Sequence, residues 1–385
     1  MPARDLSIVI FTTILSFCAL YAPQPLLPTL AAELGVGSTK ISLLITLTLL
    51  PLGLAPLVYG FVLEAVPART MLQLSTFGLA LSEIPFLMAD SFAPLAAARL
   101  IQGLLLPAVL TALMTYCSSM VAADQVRRVI GIYVASTILG GFLGRAASGV
   151  VADLFGWRAP FALWMVGLLV ASALICLLGR DTRVGFSRLK PRLIAEIWAR
   201  PVYRRGYLVI FLVFFVFASI LNLLPFRLKA LQPDASESAI ALLYLGYLVG
   251  SVIALNSTRL VDLFGGESRA VLIGLSCYAL GMALFALPQP GYLYASMFVF
   301  CAGMFLVHSV LSGYLNHLAS ERKGVVNGLY VSLYYSGGAL GSLLPAILYR
   351  HFGWQVYLCV LGILLCVAFA AALSLRRVLP ESVQM

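Results

Sequence analysis

Two stretches of equal length decide the architecture of this chain: "GIYVASTILGGFLGRAASGVVADLFGW" at residues 131–157 and "GLYVSLYYSGGALGSLLPAILYRHFGW" at residues 328–354. Eight glycine or aromatic positions carry the same residue in both stretches, and the members of every pair are separated by 197 positions. The eight in the first stretch are Gly131, Tyr133, Gly140, Gly141, Gly144, Phe155, Gly156 and Trp157. A single shared offset indicates an internal repeat of two similar halves.

The composition places the repeat in a membrane. Of 385 residues, 62% are hydrophobic and 10% are charged, and the mean hydropathy is +1.01. A soluble domain needs far more charge to cover its surface, whereas about 20 apolar residues form one helical span of a bilayer. We therefore predict an all-α membrane protein with the lipid bilayer as its partner. Hydropathy predicts twelve spans, at 6–28, 41–63, 70–89, 92–117, 127–151, 158–178, 206–229, 238–262, 268–288, 290–317, 324–349 and 354–375.

The distribution of positive charge predicts the orientation. The loops on the side of the two termini hold 18 of the 25 Lys and Arg residues, the opposite loops hold five, and Arg99 and Arg145 lie inside spans. Such an excess marks the cytoplasmic face. We expect both termini in the cytoplasm of a bacterium, a multi-pass protein of the inner membrane with helix 1 as an uncleaved signal anchor, and no nucleic-acid partner.

The predicted domains are a six-helix half over residues 1–178, a basic linker over 179–205 and a second six-helix half over 206–385. The linker carries eight basic and two acidic side chains. It is either a simple cytoplasmic connection with a short amphipathic helix at the membrane surface or a regulatory or lipid-binding segment.

Helix 5 carries glycines at Gly131, Gly140, Gly144 and Gly149, a spacing that lets another helix backbone approach. With the repeat, this pattern resembles the antiporter signature of the major facilitator superfamily, and the likeness covers nearly the whole chain. Arg145 stands where that signature has a proline. The resemblance implies twelve helices in two pseudo-symmetric halves, a solute site between the halves, a monomer, and contact of this glycine face with the opposite half.

Two further segments are similar to that family. "RLIQG" at residues 99–103 matches the pattern R-x-x-Q-G of helix 4, and "GFVLEAVPAR" at residues 60–69 matches part of a cytoplasmic gating motif. Ala65 and Pro67 depart from the gating motif. The resemblance implies a cytoplasmic gate that includes Gly60, Glu64, Arg69 and, in the second half, Asp262.

A narrower likeness lies in "YAPQPLLPTLAAELGV" at residues 21–36 and "NLLPFRLKA" at residues 222–230. These segments resemble the acriflavine-sensitivity branch of drug efflux carriers. In the family, helices 1, 4, 7 and 10 line the cavity, which implies a solute site near mid-membrane. The residues that this places towards the cavity are Tyr21, Gln24, Gln102, Asn222 and His308.

Three charges lie deep in predicted spans, where each costs about 2.5–3.5 kcal/mol on insertion scales. Glu83 and Arg99 lie at similar depth on either side of the turn near Asp90, which predicts an ion pair. Either this pair only joins helices 3 and 4, or Glu83 takes up and releases a proton as the cavity changes sides. Burial and a nearby arginine act in opposite directions on the pKa of a carboxyl group.

Arg145 has three interpretations. Its side chain snorkels to the periplasmic surface, or it faces the central cavity, or it hydrogen bonds to backbone carbonyls of the other half. His308 either titrates near neutral pH as a second proton-coupling group or is a packing residue.

The leading functional hypothesis is proton-driven export of small amphiphilic molecules, drug-like or sugar-like, by alternating access. The candidate substrate-binding residues are Tyr21, Gln24, Arg99, Gln102, Arg145 and Asn222. The alternative is an uptake carrier for a small organic or inorganic anion that Arg99 and Arg145 bind. No ATP, metal or catalytic motif occurs, so we predict no enzyme, no cofactor and no metal, and a proton gradient as the energy source.

Overall fold

A computed structural model describes residues 2–119, 126–179, 191–319 and 323–375, and within these ranges every regular element is helical. The first eight helices are α1 (Ala3–Tyr21), α2 (Leu27–Glu33), α3 (Ser38–Ala65), α4 (Ala68–Leu81), α5 (Ile84–Met88), α6 (Phe92–Ser119), α7 (Val126–Phe155) and α8 (Ala159–Ile175). The others are α9 (Pro191–Ala199), α10 (Pro201–Leu231), α11 (Glu237–Leu242), α12 (Gly246–Leu255), α13 (Ser257–Phe264), α14 (Glu267–Leu284), α15 (Pro290–His317) and α16 (Lys323–Leu375). The predicted all-α fold is confirmed.

The predicted membrane spans all have helical counterparts. Among the described residues, nine helices are long and apolar enough to cross a membrane, and Ser38–Leu54 and Ala159–Ile175 are two shorter apolar helices. The last of the nine, Gly324–Leu375, contains the non-helical residue Gly353, which divides it where two spans were predicted. The chain is therefore a multi-pass membrane protein. A short helix, α9, also forms inside the predicted linker.

The predicted first span is wrong at its end. It was expected to continue to residue 28, but α1 ends at Tyr21 and α2 begins only at Leu27. Proline has no backbone N–H and cannot donate to the carbonyl four residues earlier. Pro23 and Pro25 therefore stop the helix, and Gln24 lies in the turn after it.

Two other predicted spans are interrupted. The span predicted at 70–89 consists of α4 and α5, with Ser82 and Glu83 between them. The span predicted at 238–262 consists of α11, a 3₁₀ turn at Leu243–Leu245, α12 and α13. Hydropathy does not detect such interruptions because the residues around them remain apolar.

Contacts divide the chain into two compact units, Met1–Arg188 with Ala235–Leu242 and Leu189–Asp234 with Leu243–Met385. In the first unit, the glycines of α7 pack on α1. A Cβ atom at Gly140 would lie 2.6 Å from the carbonyl oxygen of Ile14, and one at Gly144 would lie 2.6 Å from the Cα atom of Cys18. The expectation that this face meets the opposite half is wrong for these two glycines, because their partner is helix 1 of the same half.

The second unit repeats this packing. A Cβ atom at Gly337 or Gly341 would collide with the backbone carbonyl of Phe211 or Phe215 on α10. Each of these four residues lies 197 positions after its counterpart in the first unit. The repeat found in the sequence is therefore also a repeat of tertiary contacts.

Gly156 and Gly353 form another repeated feature. Their φ angles are +85° and +76°, a region that residues with a side chain rarely adopt. Each precedes a buried tryptophan, Trp157 or Trp354. The shared "FGW" sequence thus reverses the chain at the same point in both units.

The close approach of α7 to α1 gives a stability prediction. The substitution Gly144→Ala should lower the stability of the purified protein by about 1–3 kcal/mol, because the new methyl group overpacks against backbone that cannot rotate away. Gly131→Ala is the matched control on the same helix, since a Cβ atom there meets nothing within 4 Å. Thermal unfolding in detergent should show a lower Tm for Gly144→Ala only. Equal Tm values for the two variants would contradict this packing.

Candidate functional site

Arg99 on α6 is fully buried, and protein acceptors surround its guanidinium group. Nε donates to the carbonyl oxygen of Leu44 on α3 at 2.8 Å. Nη1 donates to the carbonyl oxygen of Ala19 at 3.0 Å and to Oε1 of Gln102 at 2.5 Å, and Nη2 donates to the carbonyl oxygen of Leu20 at 2.6 Å. One side chain therefore joins α1, α3 and α6.

The acceptors on α1 are carbonyls that the helix itself cannot satisfy. The last four carbonyls of a helix lack a partner within the helix, and Pro23 lacks the N–H that would otherwise donate to Ala19. The N–H groups of Ala22 and Gln24 donate to Cys18 and Tyr21, and Arg99 supplies the donors for the remaining two. A cation at this position also complements the negative end of the helix dipole.

The direct ion pair predicted between Glu83 and Arg99 is wrong. The ion pairs of the described residues do not include it. The guanidinium group of Arg99 donates instead to backbone carbonyls and to Gln102. Gln102 lies between the two charges. Arg99 can only donate, so the oxygen of Gln102 must face it. The amide NH₂ group of Gln102 then donates to the backbone oxygen of Ser82, the residue before Glu83, at 3.5 Å.

Glu83 lies in the interruption between α4 and α5 and is 1% exposed. Its Oε1 atom has no hydrogen-bond partner among the described residues. An ionised carboxylate needs donors on both oxygens when it is removed from water. The pocket around Glu83 is therefore incomplete for the charged form.

Arg145 on α7 is 1% exposed, so the interpretation that it snorkels to the surface is wrong. Nε donates to Oε1 of Gln24 at 2.6 Å, and Nη1 donates to the carbonyl oxygen of Gly141 at 2.6 Å. The guanidinium carbon lies 3.8 Å from the ring centroid of Tyr21, a cation–π contact. Tyr21, Gln24 and Arg145 thus form one cluster beside the end of α1.

The fourth glycine of the α7 pattern has different neighbours. A Cβ atom at Gly149 would lie 2.6 Å from the Cβ atom of Ala241 and 2.6 Å from the carbonyl oxygen of Glu237, both on α11. Oε1 of Glu237 also accepts a hydrogen bond of 2.6 Å from Thr29 on α2. The residues 235–242 consequently belong to the first compact unit, although the sequence places them in the second half.

The remaining candidates are spread over the chain. Asn222 on α10 is fully buried in the second unit, and the ring of His308 on α15 contacts Tyr330. Arg69 donates to the carbonyl oxygen of Cys176 at the end of α8, and Asp262 is exposed near the end of α13. The side chains of residues 55–65, which include the gate candidates Gly60 and Glu64, lie outside the described residues.

Two buried polar residues were missed by the sequence analysis. Thr48 on α3 donates to the backbone oxygen of Arg99 at 3.0 Å. Asp5 is fully buried, and its Oδ2 atom accepts hydrogen bonds from Tyr116 at 3.2 Å and from the N–H of Gly179 at 3.3 Å. Asp5 precedes the predicted first span, so a hydropathy profile assigns it to the aqueous tail. Within the described residues no group of three His, Cys, Asp or Glu side chains could hold a metal ion.

The network around Arg99 gives a second prediction. Arg99→Lys should lower the free energy of unfolding by about 2–4 kcal/mol, because one ammonium group cannot reach all the acceptors and buried carbonyls lose their donors. Arg158→Lys is the matched control, since Arg158 is partly exposed and pairs with Asp90 at the surface. Chemical denaturation of both variants measures the difference, and an Arg99→Lys variant as stable as the control would contradict the network.

Known proteins resemble this chain over most of its length. The family model of the Major Facilitator Superfamily matches residues 9–342. The chain is 27% identical over 371 residues to "Inner membrane transport protein YnfM" of Escherichia coli, which covers 94% of this chain and 88% of that protein. It is 22% identical over 379 residues to the MFS-type transporter YybF of Bacillus subtilis, covering 96% of this chain and 92% of that one.

Solved structures share the fold. A bacterial homologue of the human lysosomal transporter Spinster, in its inward-facing and unoccupied conformation, superposes with a TM-score of 0.82 at 14% sequence identity, with 98% of each chain covered. The chain is a membrane transporter rather than an enzyme, and it belongs to the Major Facilitator Superfamily.

Proposed function

We propose that this transporter exports small amphiphilic molecules, drug-like or sugar-like, in exchange for protons, and that Glu83 is the group that carries the proton. The observation that carries this proposal is the incomplete pocket of Glu83: the carboxyl group is 1% exposed and its Oε1 atom has no partner among the described residues. A neutral carboxylic acid tolerates such a site, whereas an ionised one does not without further donors.

Transport then follows from a change in the surroundings of this carboxyl group. Secondary transporters expose one central site alternately to each side of the membrane. When the first unit moves so that water reaches the interruption between α4 and α5, Glu83 gains donors and releases its proton. When the interruption is dry again, the carboxyl group must be protonated. Substrate movement and proton movement are thereby joined in one cycle.

Gln102 supports this role for Glu83. Arg99 fixes the orientation of the Gln102 amide, whose NH₂ group donates to the backbone oxygen of Ser82, the residue before Glu83. Arg99 and Glu83 are therefore not directly paired, and the charge of Arg99 acts on the carboxyl group only through space. A direct ion pair consequently does not hold the carboxyl group in its ionised state.

The geometry disfavours the alternative, an uptake carrier for anions. Three nitrogen atoms of Arg99 already donate to four protein acceptors, so the guanidinium group keeps no edge with two free N–H groups for an anion. Arg145 is committed to Gln24 and Gly141 and lies over the Tyr21 ring. Both arginines have structural acceptors in the first unit.

We further propose that the protein lies in the inner (plasma) membrane of a bacterium with both termini in the cytoplasm. The excess of Lys and Arg on one side supports this orientation, and the related YnfM is described as an inner membrane transport protein.

Proton flux in liposomes tests the proposal. Purified protein is reconstituted with an internal pH-sensitive dye, and cationic amphiphiles, sugars and small anions are added in turn. We expect an amphiphile to evoke proton movement in the wild type and Glu83→Gln to abolish it, because the amide cannot take up a proton. Asp153→Asn, which changes an exposed carboxylate of the same unit, should retain the flux.

Two results would count against the proposal. Flux evoked only by anions would favour the arginine-based carrier. Normal flux in Glu83→Gln would make Glu83 a structural residue.

A further inference from the structure

A basic segment joins α9 to α10 in the second unit. Arg200 lies between the two helices, and Arg204 and Arg205 lie near the start of α10. Arg205 donates to the backbone oxygen of Ser374 at 2.9 Å. Arg200 and Arg204 are exposed, and the ion pairs of the described residues include neither of them. The segment therefore presents two cationic side chains that lie four positions apart.

The length of α10 places these arginines at the membrane surface. Between Arg205 and Arg227 the helix has no charged residue over positions 206–226, which at 1.5 Å per residue extend about 32 Å. The hydrocarbon core of a bilayer is about 30 Å thick. Because the uncharged part of α10 matches that thickness, Arg200 and Arg204 reach the headgroup layer on the side where α10 begins.

The short helix α9 carries a tryptophan at the same level. It contacts α10 and α16 and ends one residue before Arg200. Ile197 is buried, whereas Trp198 is 43% exposed and stacks on Tyr207 of α10, with ring centroids 6.3 Å apart. Tryptophan is enriched at membrane–water interfaces because its ring is amphipathic. An exposed tryptophan next to two exposed arginines in the chain is typical of a surface that contacts lipid headgroups.

The charges of this segment favour an anionic headgroup. Glu196 is the one carboxylate of residues 191–226, and Arg192 pairs with it at 3.2 Å. Guanidinium groups bind phosphate through parallel N–H···O bonds. A zwitterionic phospholipid brings its own cation to the phosphate, whereas phosphatidylglycerol does not. The negative lipid therefore complements Arg200 and Arg204 better.

We infer that Arg200, Arg204 and Trp198 form a binding site for the headgroup of an anionic phospholipid. This site assigns the lipid-binding role to the C-terminal end of the basic linker, whose residues 180–190 lie outside the described residues. The inference goes beyond the proposed function, since it depends neither on the transported solute nor on the proton.

Tryptophan fluorescence of the full-length protein in liposomes tests the site. Of the four tryptophans, Trp157, Trp164 and Trp354 are at most 7% exposed, so Trp198 is the reporter, and Trp198→Phe gives the background signal. Phosphatidylglycerol or phosphatidylcholine, each brominated in the upper part of its acyl chains as a quencher, is titrated into phosphatidylcholine vesicles. We expect half-maximal quenching of Trp198 at a mole fraction of the anionic lipid that is about five- to twenty-five-fold lower, the effect of one to two arginines at a membrane surface.

Matched variants distinguish a site from general surface charge. Arg200→Gln combined with Arg204→Gln should remove the preference for the anionic lipid and leave quenching by phosphatidylcholine unchanged. Arg192→Gln is the control, because it removes an exposed charge of the same segment that already pairs with Glu196. It should keep the preference. Arg200→Lys combined with Arg204→Lys keeps both charges and should retain most of it, which separates loss of charge from a folding defect.

Three results would overturn the inference. The first is equal quenching of the wild-type protein by the two brominated lipids. The second is an unchanged preference in the double glutamine variant. The third is an equal loss of preference in Arg192→Gln, which would show that the net charge of the segment acts without a site.

Discussion

The placement of Arg99 on the open end of α1 is the interaction on which the first unit depends. Pro23 and Pro25 end that helix among buried residues, where water cannot satisfy its last carbonyls. Arg99 donates to two of them and to α3, so the carbonyls gain donors and the buried charge gains acceptors. Arg99 thus supplies hydrogen-bond donors in place of those that the prolines lack.

The polar groups of the first unit gather where helices are interrupted. Tyr21 and Gln24 lie at the break after α1, and Glu83 lies at the break between α4 and α5. Unwound backbone inside a membrane protein is tolerated where polar side chains or a cavity satisfy it. In the proposed mechanism, the break at Glu83 is where water reaches the carboxyl group.

The two units use the same glycine packing but carry different chemistry. Gly140 and Gly144 seat α7 on α1, and Gly337 and Gly341 seat α16 on α10. At the position equivalent to Arg145 the second unit has Ser342. The repeat therefore fixes the scaffold, while the cluster of Tyr21, Gln24 and Arg145 is particular to the first unit.

The sequence alone determined the membrane class, the repeat, the helix content and the family resemblance, because these depend on composition and on spacing along the chain. It also identified Glu83, Arg99 and Arg145, since an ionisable residue within an apolar span can be recognised from the order of residues alone. It did not determine their partners: depth matched Glu83 with Arg99, but the acceptors of Arg99 are backbone carbonyls, which have no signature in a sequence. Only the tertiary structure showed that α7 packs on α1, because such a contact depends on the distance between two helices.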